Sequence, residues 1–225
     1  NLTLPTSVFS VIFIINIILS LYMLLFVIIT LIIILNIYFI FNLYLVNEDS
    51  KLTLCKNMNE LKLSLYKKNP SLINIPKNNI DSEIFEDLNP CYKNTDLFDN
   101  LNIKSKINFS EILLNSNLSC NLKYSLSYFN KKQLLDFKEC KNNYHIISNL
   151  YGNEFYIYLL HPKYKNLNDE DSLKNSEKVL IKPYDILIIP FGWKYLQEIN
   201  EITVNYHIDI DNYFTFIHNY ILNKI

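Results

Sequence analysis

Two histidines and one aspartate form the most chemically suggestive group in this chain of 225 residues. His207 and Asp209 have the His-x-Asp spacing found in two-histidine, one-carboxylate iron sites, and His145 is a candidate third ligand. In an extended strand Asn205, His207 and Asp209 share one face. We predict that they form the hydrogen-bonded polar end of a strand. A metal site made of His145, His207 and Asp209 is the alternative.

Short strands separated by turn residues must position these side chains. Ile186 to Ile189 is an apolar run that ends at Pro190, which is typical of a strand buried on both faces. Residues 202–208 alternate in polarity and are rich in β-branched side chains, which favours a second strand. The same patterns predict further strands at residues 122–129, 144–148 and 154–160, short helices at 82–88, 109–114, 130–139 and 211–225, and an exposed loop at 165–178. Residues 58–68 fit either a helix or a strand.

One block of this region resembles the JmjC hydroxylase and demethylase domain, a cupin-like double-stranded β-helix. In that family a strand that begins at Gly-Asp ends in Ile-Pro-x-x-Trp-Trp-His, and the next strand resembles Ile-Thr-Val-Asn-Phe-Trp. Here Tyr184 and Asp185 stand for Gly-Asp, Pro190 and Trp193 match the proline and the first tryptophan, and residues 202–206 match the next strand. The resemblance implies a mainly β jelly roll with flanking helices.

The same resemblance implies that the metal-binding residues of the family have been replaced. An earlier block contains the family's glycine at Gly152, followed by a strand and a proline. Counting back from Gly152 puts the His-x-Asp ligands of the family at Glu139 and Lys141. The third ligand, a histidine in the family, is Tyr195, and the lysine that binds the oxoacid co-substrate is Glu154.

We therefore predict a vestigial pocket with no catalytic residue, metal or cofactor. Its predicted members are Glu139, Lys141, His145, Glu154, Trp193, Tyr195, Asn205 and His207. Charge pairs between Glu139, Lys141 and Glu154 are expected to fill the space that iron and co-substrate occupy in the family. The alternative is an Fe(II)- and 2-oxoglutarate-dependent protein hydroxylase whose ligands have moved to His145, His207 and Asp209.

The N-terminal part of the chain is apolar enough to enter a membrane. Residues 8–46 contain no charged residue, glycine or proline, and a helix of that length is nearly twice as long as the roughly 30 Å hydrocarbon layer. We predict one transmembrane helix with an apolar extension; a hairpin of two helices is the alternative. The predicted organisation is a lead at 1–7, this helix at 8–46, a connector at 47–100, and the cupin-like barrel with its C-terminal helix at 101–225.

Charge distribution predicts the orientation and the partners. Five lysines lie between residues 51 and 68, whereas residues 1–7 carry no charged side chain, so the positive-inside rule places the C-terminal domain on the cytosolic side. The formal net charge is −1 and the lysines are interspersed with acidic residues, which argues against a nucleic-acid-binding surface. The predicted partners are the lipid bilayer and other membrane or assembly proteins.

Composition narrows the classes of function that remain possible. The chain has no alanine and no arginine, a bias typical of AT-rich genomes such as those of large DNA viruses and parasites. Its four cysteines are far apart, which argues against a zinc site and favours reduced thiols. Two glycines are too few for phosphate-binding loops. We predict a non-catalytic binding, assembly or structural role, with an accessory subunit of a membrane complex as a further alternative. His161 is predicted to be exposed at a strand exit.

Overall fold

This computed structural model describes residues 6–74 and 119–222, which divide into two units. The first unit ends at Asn42 and contains most of helix α1 (Thr6–Tyr44); the second begins at Leu43 and contains every described strand. The helices predicted at 82–88 and 109–114 lie outside the described residues, as do residues 75–100 of the predicted connector.

Helix α1 is continuous over 39 residues, so the two-helix hairpin is wrong. The segment contains no glycine or proline that could break it. Its portion Ile15–Phe39 is long and apolar enough to cross a membrane, and none of it is buried within the protein. The Thr30 hydroxyl donates to the Phe26 carbonyl at 2.9 Å and the Asn36 amide to the Ile32 carbonyl at 2.7 Å. These polar side chains are therefore satisfied by their own helix.

Two sheets pack face to face in the second unit and form a cupin-like jelly roll. The strands are β1 (Thr53–Cys55), β2 (Ser71–Asn74), β3 (Ser119–Phe129), β4 (Gln133–Leu134), β5 (Lys138–Glu139), β6 (Tyr144–Gly152), β7 (Phe155–Leu160), β8 (Glu177–Ile181), β9 (Asp185–Pro190), β10 (Lys194–Ile199) and β11 (Thr203–Asn212). The first sheet has the order β1-β2-β9-β6-β11-β3, and the second has the order β4-β10-β7-β8, with β5 also pairing with β10. Strands β9, β10 and β11 are consecutive in the chain but alternate between the sheets, as a double-stranded β-helix requires.

The continuous apolar run of strand β9 is explained by its burial on both faces of the sheet. All six of its residues are buried, because both faces of the first sheet are covered. Leu187 and Ile189 enter the core between the sheets, whereas Ile186 and Ile188 enter a second core on the outer face. Helix α2 (Met58–Tyr66) covers that outer face with Leu61 and Leu65, which resolves the open assignment of residues 58–68 as helical.

Two turn residues have backbone conformations that suit glycine. Tyr184, which stands where the JmjC family has glycine, has φ 73°, and Asp185 accepts a hydrogen bond from the Lys182 amide at 2.9 Å. Gly152 has φ +100°, and a Cβ atom built on it would lie 2.2 Å from the Ile202 carbonyl oxygen. The close approach of β6 to the start of β11 therefore requires glycine at position 152.

Several sequence predictions need correction. Residues 130–139 are not a helix but contain β4 and β5, because pairing with β10 overrides the local helical preference. The predicted loop at 165–178 contains helix α3 (Asp169–Lys174), which Asn168 caps by accepting from the Asp171 amide at 2.8 Å. The other predicted strands are confirmed, and the predicted C-terminal helix is α4 (Tyr213–Leu222).

Candidate functional site

A cavity of about 540 Å³ lies between the two sheets and is lined mainly by polar side chains. Its size falls within the range of roughly 300–1,000 Å³ that is usual for small-molecule sites. Strand β3 contributes Ser125 and Ser127, strand β6 contributes His145, strand β10 contributes Tyr195 and Gln197, and strand β11 contributes His207 and Asp209. Residues 135–142 supply most of the remaining lining, including the side chains of Leu135, Asp136, Lys138, Glu139, Cys140 and Lys141.

Antiparallel pairing brings the predicted histidines and aspartate together. On β11, His207 and Asp209 are two residues apart and both reach the cavity, as the His-x-Asp spacing predicts. Asp209 lies opposite His145 of β6 in the register, so their side chains are neighbours on the same face of the sheet. Tyr195 approaches this pair from β10 of the second sheet, which places the three side chains in one network.

Hydrogen bonds inside this network use both nitrogens of His145. Its Nδ1 atom lies 2.5 Å from Oδ1 of Asp209, and its Nε2 atom lies 3.0 Å from the Tyr195 hydroxyl oxygen. Nδ1 of His207 lies 3.4 Å from the same Nε2 atom. The rings of His145 and Tyr195 stack with their centroids 4.9 Å apart and their planes 18° apart. His145 is thus held by two partners and by ring packing.

The surroundings of Tyr195 fix the direction of these hydrogen bonds. Burial raises the pKa of the Tyr195 phenol, and nearby Cys140 and Asp209 raise it further. The phenol therefore keeps its proton at neutral pH. Because a carboxylate only accepts, Asp209 takes a hydrogen from Nδ1 of His145. The tautomer with its hydrogen on Nδ1 leaves Nε2 to accept from the phenol.

Cys140 is buried beside this network, and its thiol is expected to be unreactive. Its thiol lies 3.4 Å from the Ile189 carbonyl oxygen and 3.3 Å from that of Asn142. Burial is the main cause of a pKa raised above that of an ordinary cysteine. A nucleophilic or metal-binding cysteine is a thiolate, so we assign Cys140 to packing.

The structure divides the predicted pocket residues into two groups. His145, Tyr195 and His207 line the cavity, and Glu139 and Lys141 line it as exposed side chains. The other three predicted residues, Glu154, Trp193 and Asn205, are not among its lining residues. No ion pair joins Glu139, Lys141 and Glu154 in the described part of the chain, so the predicted charge pairs are absent there.

The three residues outside the lining have other environments. Glu154 is exposed just before β7, so a co-substrate in the cavity would not reach it. Trp193 is buried, and its indole nitrogen donates to the Lys68 carbonyl at 3.2 Å. Asn205 is fully buried on β11, opposite Ser127 in the register.

His161 is not exposed, contrary to prediction. Its Nε2 atom lies 2.9 Å from the Asn47 carbonyl oxygen, and its ring packs edge-on against Trp193 with centroids 5.0 Å apart. The segment that follows α1 covers this strand exit, a long-range contact that no local pattern reveals.

Sequence reasoning missed three polar residues that line the cavity from β3 and β10. Ser125 and Ser127 alternate with Leu126 and Tyr128, and this alternation was a usable signal that both serines face the same side of β3. Gln197 follows Tyr195 by two residues on β10, so it lies on the same strand face. None of the three belongs to the family motifs from which the pocket was predicted.

The residues present do not fit the iron site that the family resemblance implies. A facial site needs two histidines and a carboxylate that direct lone pairs at one point. His145 and Asp209 instead bind each other, and no group of three or more His, Cys, Asp or Glu side chains in residues 6–74 and 119–222 could hold a metal ion. Tyr195, at the family's third ligand position, would have to lose a proton that burial stabilises.

Comparisons with known proteins found only partial structural similarity at low sequence identity. No protein-family model and no curated protein sequence matches the chain. A cupin superfamily protein from Desulfitobacterium hafniense is 14% identical, with a TM-score of 0.29 over 40% of this chain and 68% of its own. Drosophila melanogaster CENP-C bound to CAL1 is 16% identical, with a TM-score of 0.30 over 37% of this chain and 61% of its own.

A third similar structure has a substrate and a metal ion bound. Streptomyces albus HEPD with 2-hydroxyethylphosphonate and Fe(II) bound is 9% identical, with a TM-score of 0.34 over 46% of this chain and 21% of its own. The chain thus spans about three fifths of the CENP-C chain and one fifth of the HEPD chain. The assignment of the fold depends on the strand order described above, and these alignments say nothing about chemistry.

Proposed function

We propose that this chain is a membrane-anchored, non-catalytic cupin-like protein that works by binding or assembly and descends from a JmjC-type barrel. The observation that carries this proposal is the closed network of Tyr195, His145 and Asp209. At the centre of the barrel the polar groups bind one another, so the side chains best suited to hold a metal are already engaged.

Charge and proton positions support the absence of catalysis. A neutral phenol is a poor ligand for Fe(II), and both nitrogens of His145 already have hydrogen-bond partners. Glu139 and Lys141, which stand at the family's other ligand positions, are exposed side chains rather than buried members of the network. The relocated iron site of His145, His207 and Asp209 has no support in this geometry.

The membrane part of the proposal is based on helix α1 and on the lysines that follow it. A span of 25 residues with no buried side chain suits a lipid environment, in which the helix satisfies its own backbone groups. Residues just after the helix contact the barrel unit: the Lys68 ammonium donates to the Leu45 carbonyl at 3.0 Å, and Asn47 binds His161. Leu52 packs against the core between the sheets. We propose that the barrel is held by a short, docked segment on the cytosolic side.

A turnover assay tests the absence of catalysis. The full chain, purified in detergent and supplied anaerobically with Fe(II) and then with oxygen and 2-oxoglutarate, should form no succinate above a protein-free blank. Asp209→Asn is the matched control, because it removes the carboxylate of the proposed alternative site. Succinate formed by the wild-type protein and lost in Asp209→Asn would contradict the proposal.

Two fractionation experiments test the remaining parts. The chain should stay in the membrane pellet after alkaline carbonate extraction, and its release into the supernatant would rule out an integral anchor. Asn108 and Asn117 belong to Asn-x-Ser sequons, which should remain unglycosylated if the domain is cytosolic. A decrease in mass on endoglycosidase treatment would show that the domain faces the opposite side of the membrane.

A further inference from the structure

A polar atom outside the histidine network faces the same cavity without a partner. Gln197 lines the cavity, its side chain is 3% exposed, and its Oε1 atom has no hydrogen-bond partner among the described residues. Native proteins rarely leave buried amides unsatisfied, so Gln197 points to a ligand that hydrogen-bonds with it.

Strand geometry places Gln197 and two serines on opposite sides of the cavity. Gln197 is on the inner face of β10, two residues after Tyr195. Ser125 and Ser127 line the cavity from β3 of the first sheet. A molecule bound between the sheets would therefore meet groups from both of them.

The side chains around Gln197 favour an uncharged ligand. Ser125, Ser127 and Gln197 are neutral, and Asp209 is already paired with His145. The charged side chains of the lining outside this pair, Asp136, Lys138, Glu139 and Lys141, are all exposed and carry two charges of each sign. A charged ligand beside Gln197 would lose its hydration without gaining an opposite charge.

Hydroxyl groups match this set of donors and acceptors best. The Gln197 oxygen needs a donor, and the hydroxyls of Ser125 and Ser127 serve as donor or acceptor. A hydroxyl group can play both roles from one atom. The buried ring of Phe129 also lines the cavity and offers an apolar surface to the C–H groups of such a molecule.

We propose that the cavity binds a small, uncharged, hydroxyl-rich molecule, a monosaccharide or a related polyol, through the amide of Gln197 and the hydroxyls of Ser125 and Ser127. This inference rests on the proposed non-catalytic function and supplies its ligand class. It differs from the oxoacid expected of the family resemblance, because the buried groups around Gln197 are neutral and the lysines of the lining, Lys138 and Lys141, are exposed and accompanied by Asp136 and Glu139.

Ligand-induced thermal stabilisation of the full chain in detergent tests this inference. The probes are glucose, ribose and myo-inositol at millimolar concentration, with 2-oxoglutarate and succinate as charged comparisons. Unfolding is followed by the fluorescence of Trp193, the single tryptophan of the sequence, which is buried in the barrel. At least one uncharged probe should raise Tm in a saturable way, and neither anion should do so.

Two variants separate specific binding from general stabilisation by sugars. Gln197→Met keeps the length of the side chain and should weaken binding roughly tenfold, as the loss of one hydrogen bond predicts. Ser127→Ala removes a single hydroxyl group and should also weaken binding. If Gln197→Met does not fold, Ser127→Ala takes its place as the test variant. Glu198→Gln alters the next residue on β10, outside the cavity lining, and should bind like wild type. General stabilisation by excluded sugars would act equally on all four proteins.

The inference is overturned if no uncharged probe gives a saturable shift, if Gln197→Met and Ser127→Ala both bind like wild type, or if only the anions bind. These outcomes are separable from failure of the proposed function. The proposed function fails if the protein forms succinate. If the protein is metal-free and inactive but binds no sugar or polyol, only the proposed ligand class fails.

Discussion

Removing the hydroxyl of Tyr195 tests whether the network at the barrel centre is a closed structural unit. Tyr195 and His145 are both less than 10% exposed, and their hydrogen bond is 3.0 Å long. Tyr195→Phe keeps the ring stack but leaves Nε2 of His145 without its nearest donor; the Nδ1 atom of His207, at 3.4 Å, is a poorer substitute. Leaving a buried acceptor without its donor costs about 1–3 kcal/mol.

The loss is measured by urea unfolding of the full chain in detergent. Trp193 is the single tryptophan and is buried in the barrel, so its fluorescence follows this unit without a signal from the membrane helix. A loss of about 2 kcal/mol corresponds to a decrease in Tm of about 4–8 °C in a unit of this size. The expected result is a lower urea midpoint with an unchanged slope.

Tyr156→Phe is the matched control for this substitution. Tyr156 lies half-buried on β7 outside the cavity lining, and its ring, which the variant retains, lies 3.9 Å from the Lys178 ammonium. The change should cost less than about 0.5 kcal/mol. If Tyr195→Phe is no more destabilising than Tyr156→Phe, the hydroxyl does not hold His145 and the reasoning is refuted.

Three further predictions concern the rest of the barrel. Burial raises the pKa of Tyr195 and Tyr206, so the unfolded chain loses these protons first and stability should fall as pH rises above about 10. Tyr206→Phe should flatten that fall in a urea titration, and an unchanged slope would show that Tyr206 does not contribute. Gly152→Ala should destabilise by more than about 2 kcal/mol, since its Cβ would overlap the Ile202 carbonyl; a change in Tm of less than a few degrees would contradict the close approach. Cys140 should resist iodoacetamide at pH 8 until urea is added, as mass spectrometry would show, and rapid labelling of the native protein would mean that the thiol is accessible.

The sequence predicted the parts of the fold that depend on short-range patterns. The structure contains the strands predicted from the apolar run of β9 and from the alternating polarity of β11. The turn residues Pro190 and Gly192 correctly marked the end of β9. The match of Tyr184 to a family glycine also has a physical counterpart, because its φ of 73° is a glycine-like conformation.

The errors arose where distant residues decide the outcome. Residues 130–139 have a helical composition, but the open edge of β10 draws them into strands β4 and β5. His161 was wrongly predicted to be exposed. It is covered by Asn47, which lies 114 positions away in the chain, and no local pattern reveals that contact.

The candidate site was only partly predictable for the same reason. The His-x-Asp spacing correctly placed His207 and Asp209 on one face, and Tyr195 was found through the family motif. The pairing of Asp209 with His145 depends on the register between β6 and β11, which the spacing of residues within one strand does not specify. Counting from Gly152 placed Glu154 in the pocket, but only three-dimensional geometry shows that it lies outside the lining.

The metal content of the purified protein tests the central claim most directly. Full-length chain, prepared without chelators and analysed by inductively coupled plasma mass spectrometry, should contain only traces of iron, zinc and manganese, and the Asp209→Asn variant should contain the same. One iron per chain in the wild type, reduced in Asp209→Asn, would show that His145, His207 and Asp209 bind a metal rather than one another, and would contradict the account.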